Sequence, residues 1–202
     1  MELYSNGASP FVRKVLMVLH ETDQLADVTQ VRAMGTALDS SMMPVAHNPL
    51  GKVPTLVRND APALYDSRVI CQFLDERAGA GLYGQGTAHW DALTIEATAD
   101  GMLDAMVLMT TEIKVRPPEL HFAPWLDGQW AKVLRGLDVL ESRWMAHLHG
   151  KFGIGQIAVI SALGYADFRQ PDRDWRHHAP QLAAWFATAS QRPSAKATVP
   201  AA

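Results

Sequence analysis

The sequence predicts two domains of different class: an α/β domain over residues 1–78, a linker over 79–86, and an all-helical bundle over 87–202. Three observations carry this reading. Strand-like and helix-like apolar patterns alternate through the first 78 residues, as they do where helices cover a sheet. Glycines then gather at Gly79, Gly81, Gly84 and Gly86, which marks a connection. Beyond them every apolar pattern has helical spacing.

The elements follow in order. Residues 1–4 make a short apolar strand, and Ser5-Asn6-Gly7-Ala8 a turn. Ser9-Pro10 opens a helix with a hydroxyl N-cap and a proline at the first helical position. Its buried face should carry Val12, Val15, Leu16 and Leu19. A second strand is expected over 27–31. Residues 33–48 are polar and rich in methionine, and a short irregular helix is expected there. Residues 53–58 form a strand, Asn59-Asp60 a hairpin turn, and 62–65 a return strand. Residues 67–77 are then a helix, with Val69, Ile70, Phe73 and Leu74 inward.

In the second half, residues 90–114 read as one long helix stopped by Pro117-Pro118. A second spans 126–149, and a strongly apolar third spans 154–165. Gly153 serves as its N-cap, with Gln156 reaching back to the glycine N–H. Short helices follow over 174–177 and 180–190. From Pro193 the chain is rich in Ala, Pro, Ser and Thr and is expected to fray.

Composition narrows the function classes. The net charge of −3 comes without a basic block, which argues against nucleic acid as a partner. No apolar run reaches the ~20 residues of a membrane span, and residues 2–4 do not open a signal peptide. Cys71 is the single cysteine, so no internal disulfide framework exists and a reducing, cytoplasmic setting fits. His147, His149, His177 and His178 lack a thiol or acid at ligand spacing, and no metal is expected. Cys71 sits among apolar residues and reads as core.

The richest stretch is Asn48-Pro49-Leu50-Gly51-Lys52-Val53-Pro54, followed by Asp66-Ser67. Proline cannot donate to a ladder and so belongs at the first residue or edge of a strand. The valine before it then offers an extended N–H and C=O to a small peptide, or simply begins a strand. A cis Val53-Pro54 bond would turn that edge outward; the sequence leaves the isomer open. Asp66-Ser67 at a helix N-terminus suits a carboxylate, or is an ordinary N-cap.

These residues, together with Ser9-Pro10-Phe11-Val12-Arg13-Lys14-Val15, Tyr65-Asp66-Ser67 and Gly153-Ile154-Gly155-Gln156-Ile157-Ala158, resemble the cytosolic glutathione transferases over nearly the whole chain. The resemblance implies a thioredoxin-like first domain that binds glutathione, a helical second domain that holds a small apolar electrophile, and a homodimer engaged in detoxification. It implies that Ser9 activates the thiol, that the Val53 main chain pairs with the cysteinyl part, and that Asp66 and Ser67 hold the γ-glutamyl end. Ser9 can also simply cap its helix, and Tyr4 and Ser5 are further hydroxyls nearby. Where the family has a Ser/Thr-x-x-Asp box this chain has Gly153 to Gln156, a departure that touches folding rather than chemistry. Met102, Met106 and Met109 either line the electrophile's cleft or pack in a core or dimer face. Arg13, Lys14 and Lys52 are expected to face water. The same resemblance leaves two other activities open: a glutathione-dependent isomerase or reductase, and a non-catalytic regulatory or assembly module.

Overall fold

Leu3 and Ser5 point inward from the first strand, β1 (Glu2–Ser5), while Glu2 faces solvent, the alternation of a sheet with one covered face. β1 is central. It pairs in parallel with β2 (Thr29–Arg32), from Glu2 opposite Thr29 to Ser5 opposite Arg32, and antiparallel with β3 (Thr55–Val57), with Tyr4 opposite Thr55. The computed structural model describes residues 1–201 and divides into two compact units: Met1–Leu82 with the tail from Ala197, and Tyr83–Lys196.

In the first unit α1 (Pro10–Glu21) starts at Ser9 and buries Val12, Val15, Met17, Val18 and Leu19. Leu16, expected inside, is only half-buried, and Met17 and Val18 take the interior instead. Arg13 and Lys14, expected in water, are 5% and 0% exposed and both engage other groups. That is the condition under which a charge is retained in an interior. A single 3-10 turn at Leu25–Asp27 delays β2 relative to the expected strand. Residues 33–48 form no helix; Met34 and Met42 bridge across a loop of turns.

The expected return strand shrinks to one bridge. Leu56 and Leu64 exchange both backbone hydrogen bonds, at 3.0 and 2.8 Å. Pro62 has no N–H to extend the ladder, and the Arg58 guanidinium takes its carbonyl at 2.8 and 3.0 Å. α2 (Ser67–Ala78) begins at Asp66 and ends at Gly79, whose φ of 62° closes the helix in the left-handed region. Its inward stripe is Ser67, Ile70, Cys71 and Leu74. Val69 lies off that stripe and is 46% exposed, correcting its inward assignment, and Phe73 is half-buried beneath Arg58.

The second unit is helical. α3 (Thr87–Val115) starts before Trp90, which is exposed, and ends ahead of Pro117-Pro118. The expected helix over 126–149 is two: α4 (Ala123–Arg143), with Pro124 in its first turn, and α5 (Met145–Leu148), divided at Trp144. α6 (Ile154–Arg169) is buried continuously from Ile154 to Ala166, and α3 packs against both it and α4. A Cβ on Gly155 would stand 3.2 Å from Ile95, so glycine sets how near α6 comes to α3. The Gln156 Oε1 accepts the Gly153 N–H at 3.1 Å, as the sequence suggests, and its amide also donates to the carbonyls of His147 and Lys151. Met102, Met106 and Met109 are 2%, 0% and 1% exposed, which makes them interior packing rather than the lining of a cleft.

Three short helices complete the chain: α7 (Trp175–His178), α8 (Pro180–Ala189) and α9 (Pro193–Ala197). The tail does not fray as expected. Ser194 and Ala195 are buried, Thr198 nearly so, and the Ala201 N–H donates to the Gly7 carbonyl at 3.2 Å. No helix among the described residues is long and apolar enough to cross a membrane.

Candidate functional site

Sheet register gathers the candidate residues at one end of the first unit. Tyr4 near the end of β1 faces Thr55 at the start of β3, so the turn leading to Ser9 and the Val53-Pro54 segment leave the sheet on the same side. Leu64 faces Leu56 across one antiparallel bridge, so the chain running on to Asp66 and the chain coming from Val53-Pro54 lie toward the same end of it. Segments far apart in sequence are thereby brought to one end of the sheet. The N-termini of α1 and α2 both open here, and neither first turn holds an acidic side chain. The amides of each end add partial positive charge, which at α2 lies against the Asp66 carboxylate.

Ser9 is half-buried and its Oγ accepts the Val12 N–H at 3.3 Å. Among the described residues its hydroxyl proton meets no acceptor, so it remains able to donate. The preceding turn is shaped by Asn6, whose Oδ1 accepts the Ala8 N–H at 2.9 Å and whose amide donates to the Ala33 carbonyl at 3.3 Å. The neighbouring hydroxyls differ. Ser5 donates to Gln30 Oε1 at 3.4 Å, and the Tyr4 ring lies 5.7 Å from that of His47.

The Val53-Pro54 bond is cis. Val53 is half-buried, and among the described residues neither its N–H nor its C=O has a hydrogen-bond partner. Backbone groups are paired so consistently in folded proteins that an unpaired N–H and C=O of this kind read as a place for another chain. Behind it stands Asn48, 1% exposed, which sequence reasoning quoted only as the start of a loop. Asn-Pro signals a turn, but nothing in spacing shows where the asparagine side chain goes. It reaches forward to Lys52 and Thr55. Lys52 itself is exposed, as expected.

Asp66 caps α2: its Oδ1 accepts the Arg68 N–H at 2.9 Å while the carboxylate stays exposed. Ser67 is 2% exposed, yet its hydroxyl has no partner among the described residues. Cys71, one turn further on, is fully buried. Of the histidines paired in sequence, His178 meets Asp138 at 2.8 Å and His147 packs edge-on to Trp144, both within the second unit. No group of three or more potential metal ligands forms among the described residues.

Residues 8–77 match the model of the glutathione S-transferase N-terminal domain, and residues 123–188 that of the C-terminal domain. A glutathione transferase family member from Pseudomonas fluorescens Pf-5, solved with bound glutathione, is 46% identical and superposes with a TM-score of 0.94 over 100% of this chain and 99% of that one. A second structure from that strain, with bound S-(propanoic acid)-glutathione, gives 47% identity and a TM-score of 0.91, covering both chains completely. The uncharacterized GST-like protein YibF of Escherichia coli K12 is 30% identical over 186 residues, 90% of each chain. With both domain models in chain order and a relative matched almost end to end, this chain belongs to the glutathione S-transferase family.

Proposed function

We propose that this protein binds glutathione across its first unit and transfers the tripeptide's thiolate to a small apolar electrophile. The observation that carries the reading is the unpaired N–H and C=O of Val53, just ahead of β3. The cysteinyl part of the tripeptide lies against Val53 as an added strand. Its γ-glutamyl carboxylate takes the Ser67 hydroxyl and the amide hydrogens opening α2. The Asp66 oxygen not engaged by Arg68 faces the ammonium. Ser9 donates its hydroxyl proton to sulfur while its lone pair continues to cap α1.

The chemistry asked of Ser9 is modest. A free thiol titrates near ~8.5, and lowering that by two units needs ~2.7 kcal/mol of preference for the thiolate. One hydroxyl donor and the positive end of α1 are of that order together. The rest is approximation: holding thiolate and electrophile together removes the cost of their encounter. That a structural neighbour holds a glutathione bearing a propanoic acid group on sulfur supports an S-substituted product as ligand. The same reading takes the protein as a cytoplasmic homodimer.

The test is to titrate glutathione into wild type and Ser9→Ala, following heat release and thiolate absorbance against pH, with an aryl halide as second substrate. The expected wild-type thiolate midpoint lies below ~8.5. Ser9→Ala should raise it by one to two units and lower kcat/KM roughly 10- to 100-fold, at ~1.4 kcal/mol per tenfold. No binding at millimolar glutathione would remove the reading altogether. An unchanged midpoint in Ser9→Ala would remove Ser9 as activator.

A further inference from the structure

Val53 lies outside the sheet ladder, and its unpaired backbone does nothing to hold the segment in place. Something else must fix the direction in which its N–H points. The Lys52 carbonyl and the Val53 N–H belong to one peptide unit, and the cis bonds among the described residues are Val53-Pro54 and Tyr65-Asp66, so the Lys52-Val53 bond is trans. In a trans peptide those groups point in opposite directions within one plane. Anchoring the carbonyl therefore aims the N–H.

The anchor is explicit. Asn48 Nδ2 donates to the Lys52 carbonyl at 3.1 Å, and the Thr55 hydroxyl donates to the same oxygen at 2.9 Å. The second Nδ2 hydrogen goes to Thr55 Oγ1, also at 3.1 Å. Oδ1 accepts the Leu50 N–H at 3.0 Å, which fixes which end of the amide is which. The Asn48 backbone is held too: its N–H donates to Pro44 at 2.8 Å and its carbonyl accepts from Gly51 at 2.9 Å. Asn48 and Thr55 are 1% and 0% exposed. Thr55 is the first residue of β3 and stands in register with Tyr4, so the triangle of Asn48, Thr55 and the Lys52 carbonyl is tied to the sheet itself.

We infer that Asn48 and Thr55 are positioning residues: by engaging both lone pairs of the Lys52 carbonyl from the protein side, they turn the Val53 N–H toward the ligand. Neither touches the reacting atoms. This inference rests on the glutathione reading above and adds to it the pair of side chains that prepares the donor before any ligand arrives.

Three variants test it. Asn48→Asp keeps the shape and the acceptor for Leu50 but removes both donors and sets a carboxylate oxygen against the Lys52 carbonyl. Thr55→Val keeps the shape and loses the hydroxyl, while Thr55→Ser retains it. The expected result, by calorimetry with glutathione, is a Kd about tenfold weaker for Asn48→Asp and for Thr55→Val, with Thr55→Ser within about twofold of wild type. The pH midpoint of the bound thiolate, read at saturating glutathione, should be unchanged in all three. A Kd for Thr55→Val equal to that of wild type, or a loss in Thr55→Ser as large as in Thr55→Val, would overturn the inference while leaving glutathione binding intact. If Asn48→Asp does not fold, the Thr55 pair decides alone. A wild type that fails to bind glutathione would instead overturn the reading beneath it.

Discussion

Gly51 has a φ of 58°, a conformation that costs an L side chain roughly 1–2 kcal/mol. It donates to the Asn48 carbonyl at 2.9 Å, closing a turn with Pro49 at its second position. A Cβ added there would meet only the Ser40 Cβ at 3.9 Å, an ordinary contact. The whole penalty of Gly51→Ala is therefore backbone strain. Urea denaturation should show a loss of about 1–2 kcal/mol with an unchanged slope. A loss near zero would mean that the turn relaxes out of the left-handed region. Ser9, Val53 and Ser67 share a different economy at this scale: each keeps one hydrogen-bonding function unspent while a neighbour supplies its structural support.

Between elements, glycine acts in two opposite ways. A Cβ on Gly136 of α4 would stand 2.6 Å from both Cγ and Sδ of Met102 on α3, a side chain only 2% exposed. Gly136→Ala should destabilise by about 1–3 kcal/mol through overpacking. Gly101, on the exposed side of α3, would gain a methyl with nothing within 4 Å. Gly101→Ala should stabilise by about 0.5–1 kcal/mol because it restricts the unfolded chain. Thermal melts of both variants check the pair, and equal signs would refute it. Such contacts mark the edge of what sequence can tell. Helix starts at Ser9 and Asp66 were legible because capping is local, and so was the order of strands and helices. The return strand was not, because Pro62 and Arg58 decide it through a carbonyl contact across the turn. Lys14 was misjudged because its burial depends on neighbours brought by folding. The division at Trp144 left no proline or glycine to read. Of the candidate site, Ser9, Val53 and Asp66-Ser67 are singled out by motif alone, whereas the hydrogen bonds of Asn48 to Thr55 and Lys52 depend on side-chain direction that no spacing encodes.

At the scale of the molecule, the helical unit carries a buried phenol that responds to alkali. Tyr165 on α6 is 4% exposed and donates to Thr110 Oγ1 on α3 at 3.4 Å. Burial raises its pKa above the ordinary 10.0, against smaller opposing effects from Thr110 and Arg169. The folded state therefore holds this proton more tightly than the unfolded one does. Its contribution to stability is complete below pH ~10 and is lost as pH rises from there through the higher native value. Denaturant unfolding followed from pH 8 to 11.5 should show a decline above ~10 that is shallower in Tyr165→Phe. Parallel curves would place the alkaline loss elsewhere.

The hydrogen bond from Ala201 to Gly7 has a bearing on how the protein is made. Gly7 precedes every helix of the two units and Ala201 follows them all, so the Gly7 carbonyl finds this donor only after those helices have been made. The bend ahead of Ser9 thus gains this tie late in translation, from a segment far along the polypeptide.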